Sequence, residues 1–310
     1  MAVPVSDGVD AGLTWHYGNP VAEARALEAG AAVVDLGNRD IVEISGPDRL
    51  DWLHSLTSQH LESLAPGEAA DALVLSPNGH IEHMFSGIDD GERLLAWTEP
   101  GRGAALVEFL QRMRFMMQVE VGLRDDLRLA WLGASVPVPD GWVTRPALGG
   151  REVFRPATAS LPDGVPAGTW AFEAHRIAAG VPRIFVDTDA RTIPNEIGLF
   201  GTHLDKGCYR GQETVARVHN LGRPPRRLVL LHLDGSAEAL PEPGAPLELD
   251  GRAVGFVGGA ARHHELGPIA LGLVKRAVAV DAPLVVDGIA AAQEPLVDPE
   301  VGLHFRPAFR

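Results

Sequence analysis

Apolar and polar positions recur along the chain with two periods, and each change of period marks an element. In the first 64 residues an amphipathic helix is expected over Ala22–Ala29, followed by strands at Val33–Leu36 and Ile41–Ile44. A second helix is opened by Ser45-Gly46-Pro47-Asp48. Ser45 can cap it, Pro47 suits a first turn, and Leu50, Leu53 and Leu56 supply an apolar stripe at intervals of three. Ala72–Leu75 and Ile81–Ile88 flank Ser76-Pro77-Asn78-Gly79, whose turn chemistry predicts a hairpin. Leu94–Trp97 adds a strand, and Gly103–Met113 reads as a helix with Leu106, Phe109, Leu110 and Met113 on one face. The apolar Phe115-Met116-Met117 that follows reads as core.

Residues 137–168 are rich in proline and glycine and weak in period, so they are expected to be loops around short strands such as Glu152-Val153-Phe154. Thr169–Ala179 resumes helical spacing and stops at Gly180-Val181-Pro182. From about Pro224 the pattern becomes short apolar strands, at Leu228–Leu233, Ala245–Leu249, Ala253–Gly259, Ile269–Val274 and Leu284–Val286. Asp234-Gly235, Asp250-Gly251 and Asp287-Gly288 punctuate them. The fold class is therefore α+β, with a separate small β-barrel or sandwich at the C-terminal end.

A chain of 310 residues with 45% apolar content can bury the cores of two or three domains. Residues 1–7 lack the basic and apolar regions of a secretory signal, and no later run is long enough to cross a bilayer, so a cytoplasmic location without a membrane partner is expected. The net charge of −14 opposes attraction to a phosphate backbone and argues against direct nucleic-acid binding. That charge is unevenly spread. Between residues 205 and 227 six cations (Lys206, Arg210, Arg217, Arg223, Arg226 and Arg227) face two anions (Asp205 and Glu213). Such an island fits a small carboxylate or phosphate ligand, or is solvated loop charge.

Cys208 is the only cysteine, which excludes an intramolecular disulfide and leaves packing or chemistry as its purpose. Lys206 and Arg210 stand two residues to either side, and neighbouring cations favour the reactive thiolate. Gly207 and Gly211 remove side-chain bulk nearby, and Gln212 and Glu213 add directional hydrogen bonding. No metal site is expected. In His80-Ile81-Glu82-His83, strand alternation separates His80 and Glu82 from Ile81 and His83, and His263-His264 reads as polar surface. Neither Gly30-Ala31-Ala32 nor Gly255–Gly259 matches a nucleotide-binding loop.

Lys206-Gly207-Cys208-Tyr209-Arg210-Gly211-Gln212-Glu213 resembles the K-G-C-Y-x-G-Q-E signature of the YgfZ proteins, folate-binding relatives of the glycine-cleavage T-protein, an aminomethyltransferase. The likeness extends, in order, through residues 44–48 to Leu56-Thr57, residues 75–80, 176–182 and Ile193-Pro194-Asn195-Glu196, to Gly255-Phe256-Val257 and residues 266–271. The resemblance implies two ferredoxin-like α+β domains, interleaved over residues 1–222, and a C-terminal β-barrel domain over 223–310, in a three-domain ring around bound tetrahydrofolate or a one-carbon derivative. It also implies support of iron-sulfur cluster assembly or repair, transient partnership with iron-sulfur enzymes or assembly factors, and through them tRNA modification. Cys208 becomes the candidate reactive thiol, with Lys206, Tyr209 and Arg210 around it, and Arg176, Glu196 and Arg226 as further candidate folate contacts.

The chain departs from T-proteins at two carboxylates. The R-x-E-x-G glutamate expected to bond the pterin is Ala178 here, so Glu196 or Glu173 must replace it if folate binds. The aspartate expected shortly after the segment 94–98 is missing, since Trp97 is followed by Thr98-Glu99-Pro100-Gly101-Arg102. A folate-dependent aminomethyltransferase or demethylase acting on a small methylated amine is therefore the alternative reading. Arg226 or Arg227 would grip a folate carboxylate, or carry surface charge on a first barrel strand. Tyr209 and Trp97 would stack on a pterin, or simply pack.

Overall fold

The computed structural model describes residues 1–236 and 238–303. Residues 304–310 of the expected C-terminal domain lie outside the described residues. The chain divides into two compact units, Met1–Val74 with His83–His175, and Leu75–Glu82 with Arg176 onward. The boundary expected at 222/223 falls inside the second unit, immediately before the barrel.

Within the first unit, helix α1 (Pro20–Glu28) starts two residues before the apolar pattern does. Asn19 caps it by accepting from the Ala22 N–H at 3.1 Å, and Pro20 occupies the first turn, where its missing donor costs nothing. Helix α2 (Arg49–Leu56) begins later than Ser45 predicts. Ser45 ends the preceding strand, Gly46 turns the chain at φ +104°, and the Asp48 carboxylate accepts from Gln118 N–H at 2.7 Å instead of capping. Trp52 and Leu53 are its buried apolar residues, while Leu50 and Leu56 are only partly covered. Helix α3 (Gly103–Arg112) buries Leu106, Phe109 and Leu110 as its spacing requires.

Phe115 and Met116, read as core, are 83% and 96% exposed. Helix α3 has ended by then, and Phe115 itself turns the chain at φ +45°, which leaves the two side chains no face to pack on. Residues 137–168 are also more ordered than their composition predicts. They hold strands Val143–Ala147, Gly150–Pro156 and Val165–Ala167. The hairpin joining the first two turns through Leu148-Gly149, both with positive φ, a pair whose leucine hides the turn signal.

Two five-stranded sheets interleave along the sequence. One runs in the order 69–75, 81–89, 93–98, 40–45, 120–123, and the other 143–147, 150–156, 127–133, 32–35, 165–167. The first carries a core of Val42, Ile44, Phe85, Leu94 and the buried faces of α2 and α3, and the second a core built around Trp131, Phe154 and Phe172. Helix α4 (Thr169–Ala178) follows the second sheet and ends at Gly180, whose φ of +68° gives the left-handed residue that such an ending needs.

In the second unit the last strands form a closed six-stranded barrel, ordered 226–233, 267–275, 252–263, 246–249, 284–286, 289–295. Asp250-Gly251 and Asp287-Gly288 take left-handed conformations at both positions, as a two-residue type I′ hairpin demands. The strand missed from sequence is Ile289–Pro295. Its Ala-Ala-Ala-Gln-Glu run lacks an apolar signature, yet it closes the barrel against Arg226–Leu233. Among the described residues no helix is long and apolar enough to cross a membrane.

Candidate functional site around Cys208

The site is assembled in the second unit by the tip of one hairpin and the start of one helix. At the tip, Ser76 N–H donates to His80 O at 2.7 Å and Gly79 N–H to Ser76 O at 2.9 Å. The Ser76 hydroxyl accepts from the N–H groups of Asn78 and His80. Ile81 N–H, just beyond, donates to Thr192 O at 3.0 Å. The tip is thus fixed from inside and from one side.

Helix α5 (Gln212–Leu221), not anticipated from the sequence, begins at Gly211 and ends at Gly222, both left-handed. A Cβ on Gly211 would lie 2.5 Å from Ser76 O and 3.0 Å from Gly79 Cα, and one on Gly79 would lie 2.9 Å from Thr214 Cβ. The hairpin tip and the helix start therefore touch backbone to backbone, and both residues must be glycine. Gly207 has open space around it, so only one of the two signature glycines makes a close approach.

Cys208 is exposed in the segment that leads into α5. Its neighbours divide between interior and surface. Lys206 is buried with its ammonium 5.0 Å from the centroid of the Tyr209 ring, and Tyr209 is buried beneath it, its hydroxyl pushed up to about 12 by desolvation. Arg210 points outward and pairs with Glu82 of the hairpin at 2.9 Å. The thiol is thus solvent-accessible while the residues on both sides are held. Such an arrangement suits a group that must be reached by another molecule.

Arg176, Glu196 and Arg226 lie elsewhere in this unit and are engaged with one another or with acids the sequence reading did not single out. Arg226 donates to Glu196 through Nε and Nη2 at 2.7 and 2.8 Å, to Asp189 through Nη1 and Nη2 at 2.7 and 3.0 Å, and stands over Phe256 at 5.7 Å. Glu196, almost wholly buried, also accepts from Ile193 N–H. The guanidinium holds the Asp189 carboxyl down at about 2 against the opposing effect of burial. Arg176 is buried against Asp187 at 2.8 Å, and Asp187 also accepts from the N–H groups of Arg183 and Gly259. A Cβ on Gly258 would fall 2.4 Å from Asp187 Oδ1, which explains the glycine pair at this bulge of the barrel strand.

Asn195 completes the segment by donating to Val215 O on α5 at 3.1 Å. Arg227, the other arginine at the barrel entrance, is buried and donates to the carbonyls of Lys275, Arg276 and Val278 and to Gln293 Oε1. Its ordinary pKa is lowered by burial. Of the basic island, Arg217 and Arg223 are exposed and make no ion pair among the described residues.

In the first unit, Trp97 donates to Glu152 at 2.6 Å and packs on the core, and Glu152 also accepts from Arg145 at 2.8 Å. Burial raises the Glu152 carboxyl above its usual range. His83 stacks on Phe109 at 5.2 Å while Glu82 faces Arg210, so the His80–His83 run sends its side chains to different neighbours. The sequence reading missed a cluster with ligand-like composition, His54, His60 and Glu62. His54 Nδ1 accepts from Leu61 N–H at 3.2 Å, and its Nε2 stands 3.9 Å from Glu62.

A domain family described as the C-terminal β-barrel domain of CAF17 matches residues 226–295, the six-stranded barrel. The crystal structure of the glycine cleavage system aminomethyltransferase T from Bartonella henselae superposes with a TM-score of 0.79 at 17% identity, covering 97% of this chain and 95% of that one. An Escherichia coli tRNA-modifying protein, YgfZ, is 46% identical over 79 residues, 24% of each chain. The chain is YgfZ-like, on a T-protein fold. The mitochondrial iron-sulfur cluster assembly factor IBA57 homologue of Mycosarcoma maydis is 26% identical over 235 residues, 63% of this chain and 55% of that one. A chloroplastic Arabidopsis thaliana protein named as a transferase is 24% identical over 313 residues, 86% of this chain and 71% of that one. The alignments thus span about half of the IBA57 homologue and a quarter of YgfZ. The YgfZ-like signature and its barrel both lie in the second unit.

Proposed function

We propose that this chain is a tetrahydrofolate-binding accessory protein that supports iron-sulfur cluster assembly or repair, and indirectly tRNA modification by iron-sulfur enzymes, with Cys208 as its essential thiol. One observation carries the reading: the only cysteine is exposed on a segment whose flanks are pinned, by the Gly79–Gly211 contact on one side and the Lys206–Tyr209 pair on the other. A cysteine kept for packing would be buried. The names of the IBA57 and YgfZ relatives point to the same biology.

The folate part fits some of the residues named for it. The carboxylate tail of a folate needs cations that are not already neutralised. Arg176 and Arg226 are held by Asp187, Asp189 and Glu196, and Arg210 pairs with Glu82, which leaves Arg217 and Arg223 as the exposed members of the island that make no ion pair among the described residues. Glu196 accepts from Arg226 and from Ile193 N–H, and Glu173 on α4 also has a partner within the fold, so neither acid named for the pterin is uncommitted. Bound folate would supply one-carbon chemistry. The protein's own residues would bind its charges and hold a reachable thiol. Ala178 offers no acceptor, which keeps the aminomethyltransferase reaction the weaker reading. A cytoplasmic site of action belongs to this proposal, although the IBA57 and Arabidopsis relatives carry organellar names.

Calorimetric titration of tetrahydrofolate into wild type and Cys208→Ala, beside complementation of a strain lacking its own family member, tests both halves. Binding retained by Cys208→Ala with complementation lost is the expected result. Absence of binding to either protein overturns the folate assignment, and full complementation by Cys208→Ala overturns the thiol's role.

A further inference from the structure

The turn after α3 and a groove on the barrel have no part in the proposed site. Arg114 to Met117 form a tight turn in which Met117 N–H donates to Arg114 O at 2.9 Å. Its φ of +45° at Phe115 is one that bulky side chains seldom adopt, and such strain persists where a fold has a use for it. Apart from Met1, no large apolar residue among the described residues is as open as Phe115 and Met116. Arg112 and Arg114 flank them, both exposed, the former only loosely paired with Glu108 at 3.8 Å. A tight turn that holds an aromatic ring and a thioether in water is suited to insert into an apolar recess.

The barrel presents such a recess, a groove of about 440 Å³ lined by Val280, Pro283, Leu284 and Ala291 and edged by Asp234 and Asp281. Val280 is 44% exposed in it. The turn is apolar with a basic border, and the groove is apolar with an acidic one. An anionic bilayer suits the turn less well, since the chain carries −14 overall and the turn has two arginines where surface adhesion to lipid uses clusters of about four or more.

We propose that the Phe115–Met116 turn of one copy of this chain inserts into the Val280–Leu284 groove of a second copy, with Arg112 and Arg114 facing Asp234 and Asp281. The contact joins two different surfaces, so each copy has one of each to offer. Sedimentation velocity of the full chain over rising concentration, at low and high salt, reads it. Wild type self-associates, more weakly at high salt. Phe115→Ser/Met116→Ser and, separately, Val280→Asp each weaken association by about thirtyfold or more, the loss typical of a central apolar anchor.

Mixing those two variants restores a one-to-one complex, because one keeps the groove and the other keeps the turn. Where Val280→Asp fails to fold, Asp234→Arg/Asp281→Arg takes its place, and its partner is Arg112→Glu/Arg114→Glu. A wild type that stays monomeric up to roughly millimolar concentration overturns the proposal, since that places any affinity at the weakest end of specific association. Association indifferent to all these changes also overturns it. Binding to phosphatidylserine vesicles that depends on the turn, without self-association, assigns the turn to a lipid surface instead.

Discussion

The Cys208 segment and the Arg226 cluster belong to the same basic island of the sequence and to the same unit of the fold, yet their charges have opposite fates. Arg226 is enclosed by Glu196, Asp189 and Thr192 over the Phe256 ring, so its charge is consumed inside the protein. Around Cys208 only the Lys206–Tyr209 pair turns inward, and the thiol is left facing solvent. A run of cations says where positive charge is concentrated. It does not say which of those charges the fold has already answered. The first region holds the fold together, and the second is available to something else.

The largest effect that would expose this difference follows from Arg226→Met. It strands the buried Glu196 carboxylate and leaves Asp189 without its partner. Removing one member of such a cluster is expected to cost about 3 kcal/mol, read as a fall in the urea midpoint. A loss of a few tenths would show that the cluster is surface decoration. It would also return Arg226 to the residues free to grip a ligand.

Gly211→Ala comes next. It forces a methyl toward Ser76 O and a side chain onto a φ of +82°, and should destabilise by about 1–3 kcal/mol. Gly207→Ala, in open space, should stay within about 0.5 kcal/mol in the same melts. Equal losses at the two glycines would remove the argument that the signature is anchored at one end only.

The extent to which this was legible in the sequence varies by residue. The Ser76–Gly79 hairpin, the buried face of α3, the ending of α4 and the β-rich C-terminal part were all readable, because local turn chemistry and period decide them. The closing strand Ile289–Pro295 was not, since its place is set by pairing with Arg226–Leu233 and not by its own alanines. The hairpin through Leu148-Gly149 was hidden for a similar reason. At the site, Cys208 announced itself by type and setting. The roles of Arg176, Glu196 and Arg226 did not, because their partners lie 11, 30 and 37 residues away and pairing at that separation leaves no periodic trace. Phe115 and Met116 misled because apolar type normally signals core, and only their backbone geometry places them outside.

A smaller effect sharpens the contrast through pH. Arg226 lowers the Asp189 carboxyl to about 2 in the folded chain, below the roughly 3.9 of an unfolded aspartate. The carboxylate therefore contributes stability above about pH 4, which is lost as pH falls through about 2. With its side chain 39% exposed, solvent screening limits the contribution to about 1 kcal/mol. Asp189→Asn should flatten the acid limb of stability against pH over that window. An unchanged slope would mean that Asp189 is not held by Arg226 in solution.

The smallest stability effect belongs to Cys208→Ala, and there the comparison is decided. The side chain is exposed, and Gly79, Gly211, Lys206 and Tyr209 fix the backbone around it without its help. Its removal should shift the urea midpoint by no more than about 0.5 kcal/mol equivalent. If the same variant then fails to complement while the folded protein accumulates normally, the loss belongs to the thiol's chemistry and not to the fold. A substantial loss of stability would instead make Cys208 one more packing residue, and the anchored signature around it would be structural like the Arg226 cluster.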